Sequence, residues 1–215
     1  MSDLAAVIRE DQVIALGIMR LANSPVYGGL SEIRALSAAC ARLGMRTIAN
    51  TVQAIASANL FVTGDKHLKE LMNRLYRHAI ATAYCSAEIA RVLSEPRGEA
   101  FFLAGLVHDV GKLAILDMIA NKQHKRLATL RNNHELLDEV LERFGALTGL
   151  HVVQTWRLPT EFDTVTFCQA QPEACPGDSL RILSHAVAMA GAIATAEGYG
   201  IFDVEDLFLT THASA

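Results

Sequence analysis

Apolar positions recur at steps of three and four along almost the whole chain, and no run alternates with a period of two. The pattern predicts an all-α protein. Asp11 is placed to cap a helix over 12–22, with Val13, Leu16, Ile18, Met19 and Leu21 as its apolar side. Ser2 caps a shorter helix over 3–9, and Asn23-Ser24-Pro25 ends the second one. Ser31 is expected to start a helix carrying Ile33, Leu36, Ala39, Cys40 and Leu43, closed by Gly44. Residues 45–61 read as the next helix. Thr63-Gly64-Asp65 is the clearest boundary between lobes, and 66–93 is a long helix or a helix pair.

The densest signal follows. From Phe101 to Leu116, Leu103, Leu106, Val107, Val110, Leu113 and Ala114 trace one buried helical face. Set into that face are His108, Asp109 and Lys112. Burying such groups costs several kcal/mol unless each finds a partner. Beyond it, 121–130 reads as a charged, exposed helix and 135–144 as an amphipathic one. Gly145 is expected to separate that helix from 147–156. Thr160 caps 160–170, Pro172 to Gly177 is a loop, and an Ala-rich helix over about 178–196 precedes a short turn at 203–208.

Composition narrows the setting. The chain has 215 residues, 51% apolar and 20% charged, enough for one sizeable core. Its net charge is −4 and no basic run stands out, so no nucleic-acid partner is expected. Apolar runs look too short to cross a bilayer, and Met1-Ser2-Asp3-Leu4 lacks a basic leader, so no membrane partner and a cytoplasmic location are expected. Cys40, Cys85, Cys168 and Cys175 are scattered and read as reduced, mostly buried thiols.

An adjacent His-Asp pair can offer a nitrogen and an oxygen to one ion of Mn²⁺, Fe²⁺ or Mg²⁺. His78, on the preceding long helix, is the natural third ligand. The alternative is a structural cluster, with His108 and Asp109 bonded to His78, Lys112 or backbone. Asn23 and Ser24 read as turn formers, Arg74 and Arg77 as helix-surface ion pairs, and Trp156 as core.

Gly105-Leu106-Val107-His108-Asp109-Val110-Gly111-Lys112-Leu113 resembles the signature of the HD superfamily of metal-dependent phosphohydrolases. Three further stretches resemble its HDOD branch. They are Leu21-Ala22-Asn23-Ser24-Pro25-Val26-Tyr27-Gly28, the run from Ile33 to Gly44, and Trp156-Arg157-Leu158-Pro159. The resemblance spans nearly the whole chain. It implies two helical lobes, 1–62 and an HD-like bundle over 66–215, forming one module. It also implies a non-catalytic bacterial signalling role through protein–protein contact. The partner would be a signalling protein or a fused sensory, receiver or cyclic-di-GMP domain. The docking surface is expected in the groove between the lobes. The family's usual Leu-Pro-rich opening ahead of Asp3 is missing, so an upstream domain or an alternative start is expected.

Compared with the related HD-GYP branch, His78 matches the first metal ligand, His108 and Asp109 the next two, and Lys112 the lysine that meets a phosphate oxygen. The branch's next His falls at Gly145, and its later His-His pair at Gln169-Ala170. The last helix offers only His185, with Asp178 before its start, and there is no Gly-Tyr-Pro motif. The resemblance therefore implies a reduced site with no cofactor, or at most one divalent ion. Two rivals stand beside this reading: a metal-dependent phosphodiesterase, and a nucleotide-sensing pseudoenzyme resting on Arg74, Arg77 and Lys112.

Overall fold

The computed structural model describes residues 2–25, 27, 32–57, 65–121, 125–131, 133–168 and 171–201. Among them there is no strand. The helices are α1 (Ser2–Ile8), α2 (Gln12–Ala22), α3 (Leu36–Ser57), α4 (Lys66–Val92), α5 (Gly98–Val107), α6 (Val110–Asn121), α7 (Lys125–Arg131), α8 (His134–Thr155), α9 (Thr160–Cys168) and α10 (Asp178–Ala194). A 3₁₀ turn at Pro172–Ala174 precedes α10, and a π-helical turn at Thr195–Tyr199 follows it.

Two helix starts are capped by carboxylates, the first at the residue that the sequence pattern indicated. The Asp11 carboxylate accepts from the amides of Val13 and Ile14 at 2.9 and 3.0 Å. Asp65 accepts from His67 and Leu68 at 2.9 and 3.1 Å, opening α4 as one uninterrupted helix. Each bond satisfies an amide that the first helical turn leaves without a partner.

Four expectations are corrected. The third helix begins at Leu36 rather than at Ser31. The Ile33 amide donates to Asn23 Oδ1 at 2.9 Å while Asn23 Nδ2 donates to the Ile33 carbonyl at 3.0 Å, so this backbone is already engaged outside a helix. Second, the His108–Asp109 stretch is not one helix: α5 ends at Val107 and α6 starts at Val110. The two pieces dock on different partners. Gly105 lies against the backbone of Ala83 on α4, and Gly111 against Gly145 and Gly149 on α8. Third, Gly145 does not interrupt α8, because it serves that close contact instead. Fourth, one described stretch, Asp178–Tyr199, is long and apolar enough to cross a bilayer. In this fold it turns Leu183, Ala186, Val187, Ala190 and Ala194 inward and packs against α4 and α5.

Gly44 does break α3, with φ +75° and ψ 159°, a conformation open essentially only to glycine. Of the expected lobe boundary Thr63-Gly64-Asp65, Thr63 and Gly64 lie outside the described residues. The apolar core is continuous from α1, α2 and α3 into α5, the C-terminal half of α4, α9 and α10. A second cluster joins the N-terminal half of α4 to α6, α8 and Ile201. Polar contacts reinforce the first junction. Glu99 on α5 binds Arg9 and, at 2.9 Å, the Ser37 hydroxyl. Tyr76 Oη donates to the Glu10 carbonyl at 2.7 Å.

Candidate functional site

Every residue of α5 from Ala100 to Val107 is buried, so the helix threads the middle of the molecule and delivers His108 and Asp109 to an interior junction. His78 reaches the same point from α4. His78, His108 and Asp109 are each no more than 6% exposed.

Both imidazoles are oriented by backbone. His78 Nδ1 is 3.0 Å from the Tyr199 carbonyl, and His108 Nδ1 is 2.7 Å from the Gly105 carbonyl. A carbonyl only accepts, so each Nδ1 carries a proton, and Nε2 is the ring nitrogen turned toward the cluster. Those Nε2 atoms face Asp109 Oδ2 at 4.0 and 3.4 Å. The three ligand-type atoms lie within 4.8 Å of one another. Outer hydrogen bonds to Nδ1 orient metal-bound histidines in the same way, with Nε2 toward the ion. The three atoms are close enough together to share a single ion.

The other Asp109 oxygen is engaged by Lys112, whose Nζ is 3.4 Å from Oδ1 and 2.9 Å from Glu142 Oε1 on α8. The Lys112 stem lies where a side chain at position 145 would stand. Burial pushes the His78 pKa down to about 4, reinforced by His108 and opposed by Asp109. Burial alone would raise the Asp109 pKa, but His108, Lys112 and His78 reverse that and hold it below the usual carboxylate range. Burial would lower Lys112, and the Asp109 and Glu142 carboxylates turn the shift upward.

The structure thus brings together His78, His108, Asp109 and Lys112. It does not bring His185 or Asp178. His185 Nε2 pairs with Glu173 at 3.3 Å on the surface, and Asp178 pairs with Arg181. Among the described residues no further His, Cys, Asp or Glu joins the cluster. Gln169 and Ala170 lie outside the described residues. Arg74 pairs with Glu70 at 3.4 Å, and the Arg77 guanidinium sits over the Tyr199 ring. Sequence reasoning missed Glu142 and Gln12. The buried Gln12 donates from Nε2 to the Leu106 carbonyl at 2.6 Å, fastening α2 to the last turn of α5 beside the cluster. Its only sequence signal was an amide at the start of an otherwise apolar helix.

The other motifs have structural explanations. Asn23 closes the loop between α2 and α3 through its two bonds to Ile33. The run from Trp156 to Pro159 ends α8. The Leu158 amide reaches back to Val153 at 3.1 Å and the Arg157 amide to Gln154 at 3.0 Å, with Arg157 at φ +53°. Glycine is the residue usually favoured at that left-handed position. Arg157→Gly is therefore expected to stabilise the fold by about 1 kcal/mol, read as a rise of roughly 2–4 °C in a thermal melt. Trp156 is partly buried against the core, under the Arg20 guanidinium.

Fold and site together define an all-α module with a buried His-His-Asp cluster at a helix junction. The HDOD domain pattern matches residues 1–172, and the chain belongs to that family. It is 25% identical over 180 residues to an uncharacterized protein of Treponema pallidum (strain Nichols). That match covers 81% of this chain but only 34% of the relative, so the chain spans about a third of that protein's length. Three solved structures share the fold. The MmoQ response regulator of Methylococcus capsulatus superposes with a TM-score of 0.68 at 18% identity, covering 90% of this chain and 77% of that one. An HDOD domain protein of unknown function from Geobacter sulfurreducens gives 0.51 at 22%, covering 93% and 67%. A protein from Shewanella amazonensis, whose name proposes a metal-dependent phosphohydrolase, gives 0.52 at 24%, covering 97% and 75%.

Proposed function

We propose that this HDOD module is a non-catalytic signalling element of the bacterial cytoplasm, working through protein–protein contact. Its partner would be a signalling protein or a fused sensory, receiver or cyclic-di-GMP domain, docked in the groove where α1–α3 meet the bundle. The observation that carries this reading is the commitment of the site residues. Among the described residues the ligand set is His78, His108 and Asp109, while Lys112 is held by Glu142 and His185 by Glu173. Hydrolysis of a phosphodiester on two metal ions needs both the attacking and the leaving oxygen clamped. Three ligands supply one position at most. The cluster instead ties α4, the α5–α6 junction and the turn after α10 together.

One observation favours the rival enzyme. The Nε2 and Oδ2 acceptors of His78, His108 and Asp109 converge as ligands would. A divalent ion held by those three would polarise a phosphoryl oxygen, with the Lys112 ammonium beside it. The nucleotide-sensing alternative is weaker, because Arg74 and Arg77 are engaged by Glu70 and Tyr199. The deciding experiment is hydrolysis of bis(p-nitrophenyl) phosphate with added Mn²⁺ or Fe²⁺. Wild type and His108→Ala are expected to be equally inactive. Turnover by wild type that His108→Ala abolishes would refute the non-catalytic reading.

A further inference from the structure

The stretch from Gln12 to Gly64 holds four arginines, Arg20, Arg34, Arg42 and Arg46, and a single carboxylate, Glu32. The whole chain has a net charge of −4, so positive charge is concentrated in this part of it. The fold narrows the concentration further. Arg20 lies exposed in the last turn of α2, with its guanidinium 5.7 Å from the centre of the Trp156 ring. Trp156 ends α8, and the exposed Arg157 follows it. Arg42 Nη1 donates to the Ala22 carbonyl at 3.4 Å, at the same end of α2. Arg20, Arg42 and Arg157 therefore gather at one seam, where the end of α2 meets the turn from α8 to α9.

The carboxylates nearby are directed elsewhere. Glu32 and Glu161 both face Arg34, at 2.9 and 3.9 Å, and Asp163 accepts from Gln154 at 3.2 Å. Among the described residues neither Arg20 nor Arg157 has a carboxylate partner. The negative ends of α2 and α8 account for part of this positive charge. The aromatic neighbours point further. Tyr27, 38% exposed, stands on the turn after α2, where its amide donates to the Ser24 carbonyl at 3.2 Å. Arg, Trp and Tyr are the side chains that dominate binding energy at protein interfaces. Arginine also grips a carboxylate with two parallel hydrogen bonds.

We propose that this seam docks an acidic segment of a partner protein, whose carboxylates pair with Arg20 and Arg157 beside Trp156 and Tyr27. The inference rests on the protein–protein reading above and names the face and the partner's chemistry. A nucleic acid suits the seam less well. Its phosphate track would run on over an acidic surface, and no lysine stands anywhere before Lys66 to continue the charge.

Trp156 is the single tryptophan of the chain, so its emission reports on the seam alone. The test titrates the full chain with the peptide EDEFDE, following Trp156 emission and, independently, heat by calorimetry. The peptide is expected to saturate both signals, to bind more weakly as salt rises, and to bind about tenfold more tightly than KRKFKR. Arg20→Ala and Arg157→Gly should each weaken it about three- to fivefold. Arg157→Gly is expected above to raise the melting point, so its loss of binding cannot come from misfolding. Arg143→Ala, about 20 Å away along α8, should bind as wild type does. The inference is overturned if calorimetry detects no binding, or if the Arg20→Ala, Arg157→Gly double variant binds as tightly as wild type. Tighter binding of a thymidine oligonucleotide of equal charge would also overturn it, in favour of a nucleic acid. None of these results would alter the hydrolysis test of the non-catalytic reading, and turnover in that test would not alter peptide binding.

Discussion

Gly111→Ala is expected to cost about 3 kcal/mol or more, a fall of roughly 6–12 °C in the thermal midpoint. A Cβ at Gly111 would stand 2.0 Å from the Gly145 carbonyl oxygen and 2.3 Å from the Gly149 amide nitrogen. Both are backbone atoms of α8, so no rotamer change relieves the overlap. The helices must separate, and the apolar cluster of Ile115, Leu116, Leu137 and Leu141 opens with them. Separation would also carry Glu142 away from Lys112, leaving that ammonium with Asp109 alone. Gly98→Ala is the control. It lies at the start of α5 with nothing within 4 Å of a new Cβ, and it should leave the midpoint unchanged or slightly higher. Equal melts for the two variants would show that the α6–α8 approach is not tight.

The second large effect is acid destabilisation through His78. Its pKa is about 4 in the folded protein and 6.5 in an unperturbed ring. Between those values the unfolded chain binds a proton that the folded chain does not, so stability rises with pH across the window. The contribution is complete above 6.5 and is lost as pH falls toward 4, by roughly 3 kcal/mol in all. The cause is burial, reinforced by His108, since charging a ring taken out of water is unfavourable. His67 adds to the same trend. Its ring stacks on His134 at 3.6 Å, and burial together with His134 lowers its pKa. Urea unfolding in EDTA at pH 7 and pH 4.5 measures the effect. His78→Asn should flatten the pH dependence by about one proton in that window. An unchanged slope would mean that His78 is not held neutral in the folded state.

Much of this was legible in the sequence because the signals were local. Asp11 sits at the start of a helix, where a carboxylate can reach two amides, and Gly44 breaks α3 where glycine is required. His78, His108 and Asp109 were identified as one cluster, and the fold places them together. What was not legible depended on partners distant in sequence. The break between α5 and α6 leaves no trace in the apolar pattern, because the residues on both sides are buried whichever way the chain turns. It is set by where Gly105 and Gly111 can approach other helices. For the same reason Gly145 looked like a helix end and is a contact point. The start of α3 was misplaced because Asn23 captures the Ile33 backbone from ten residues away.

The central proposal is that His78, His108 and Asp109 serve the fold rather than turnover. Metal content measures it most directly. Protein purified without chelator would be dialysed first against Mn²⁺ or Fe²⁺ and then against buffer, and analysed by mass spectrometry. Three ligands beside the Lys112 ammonium should retain far less than one ion per chain, with His108→Ala indistinguishable from wild type. One ion per chain in wild type, lost in His108→Ala, would contradict the purely structural reading of the cluster and make phosphodiesters the next substrates to test.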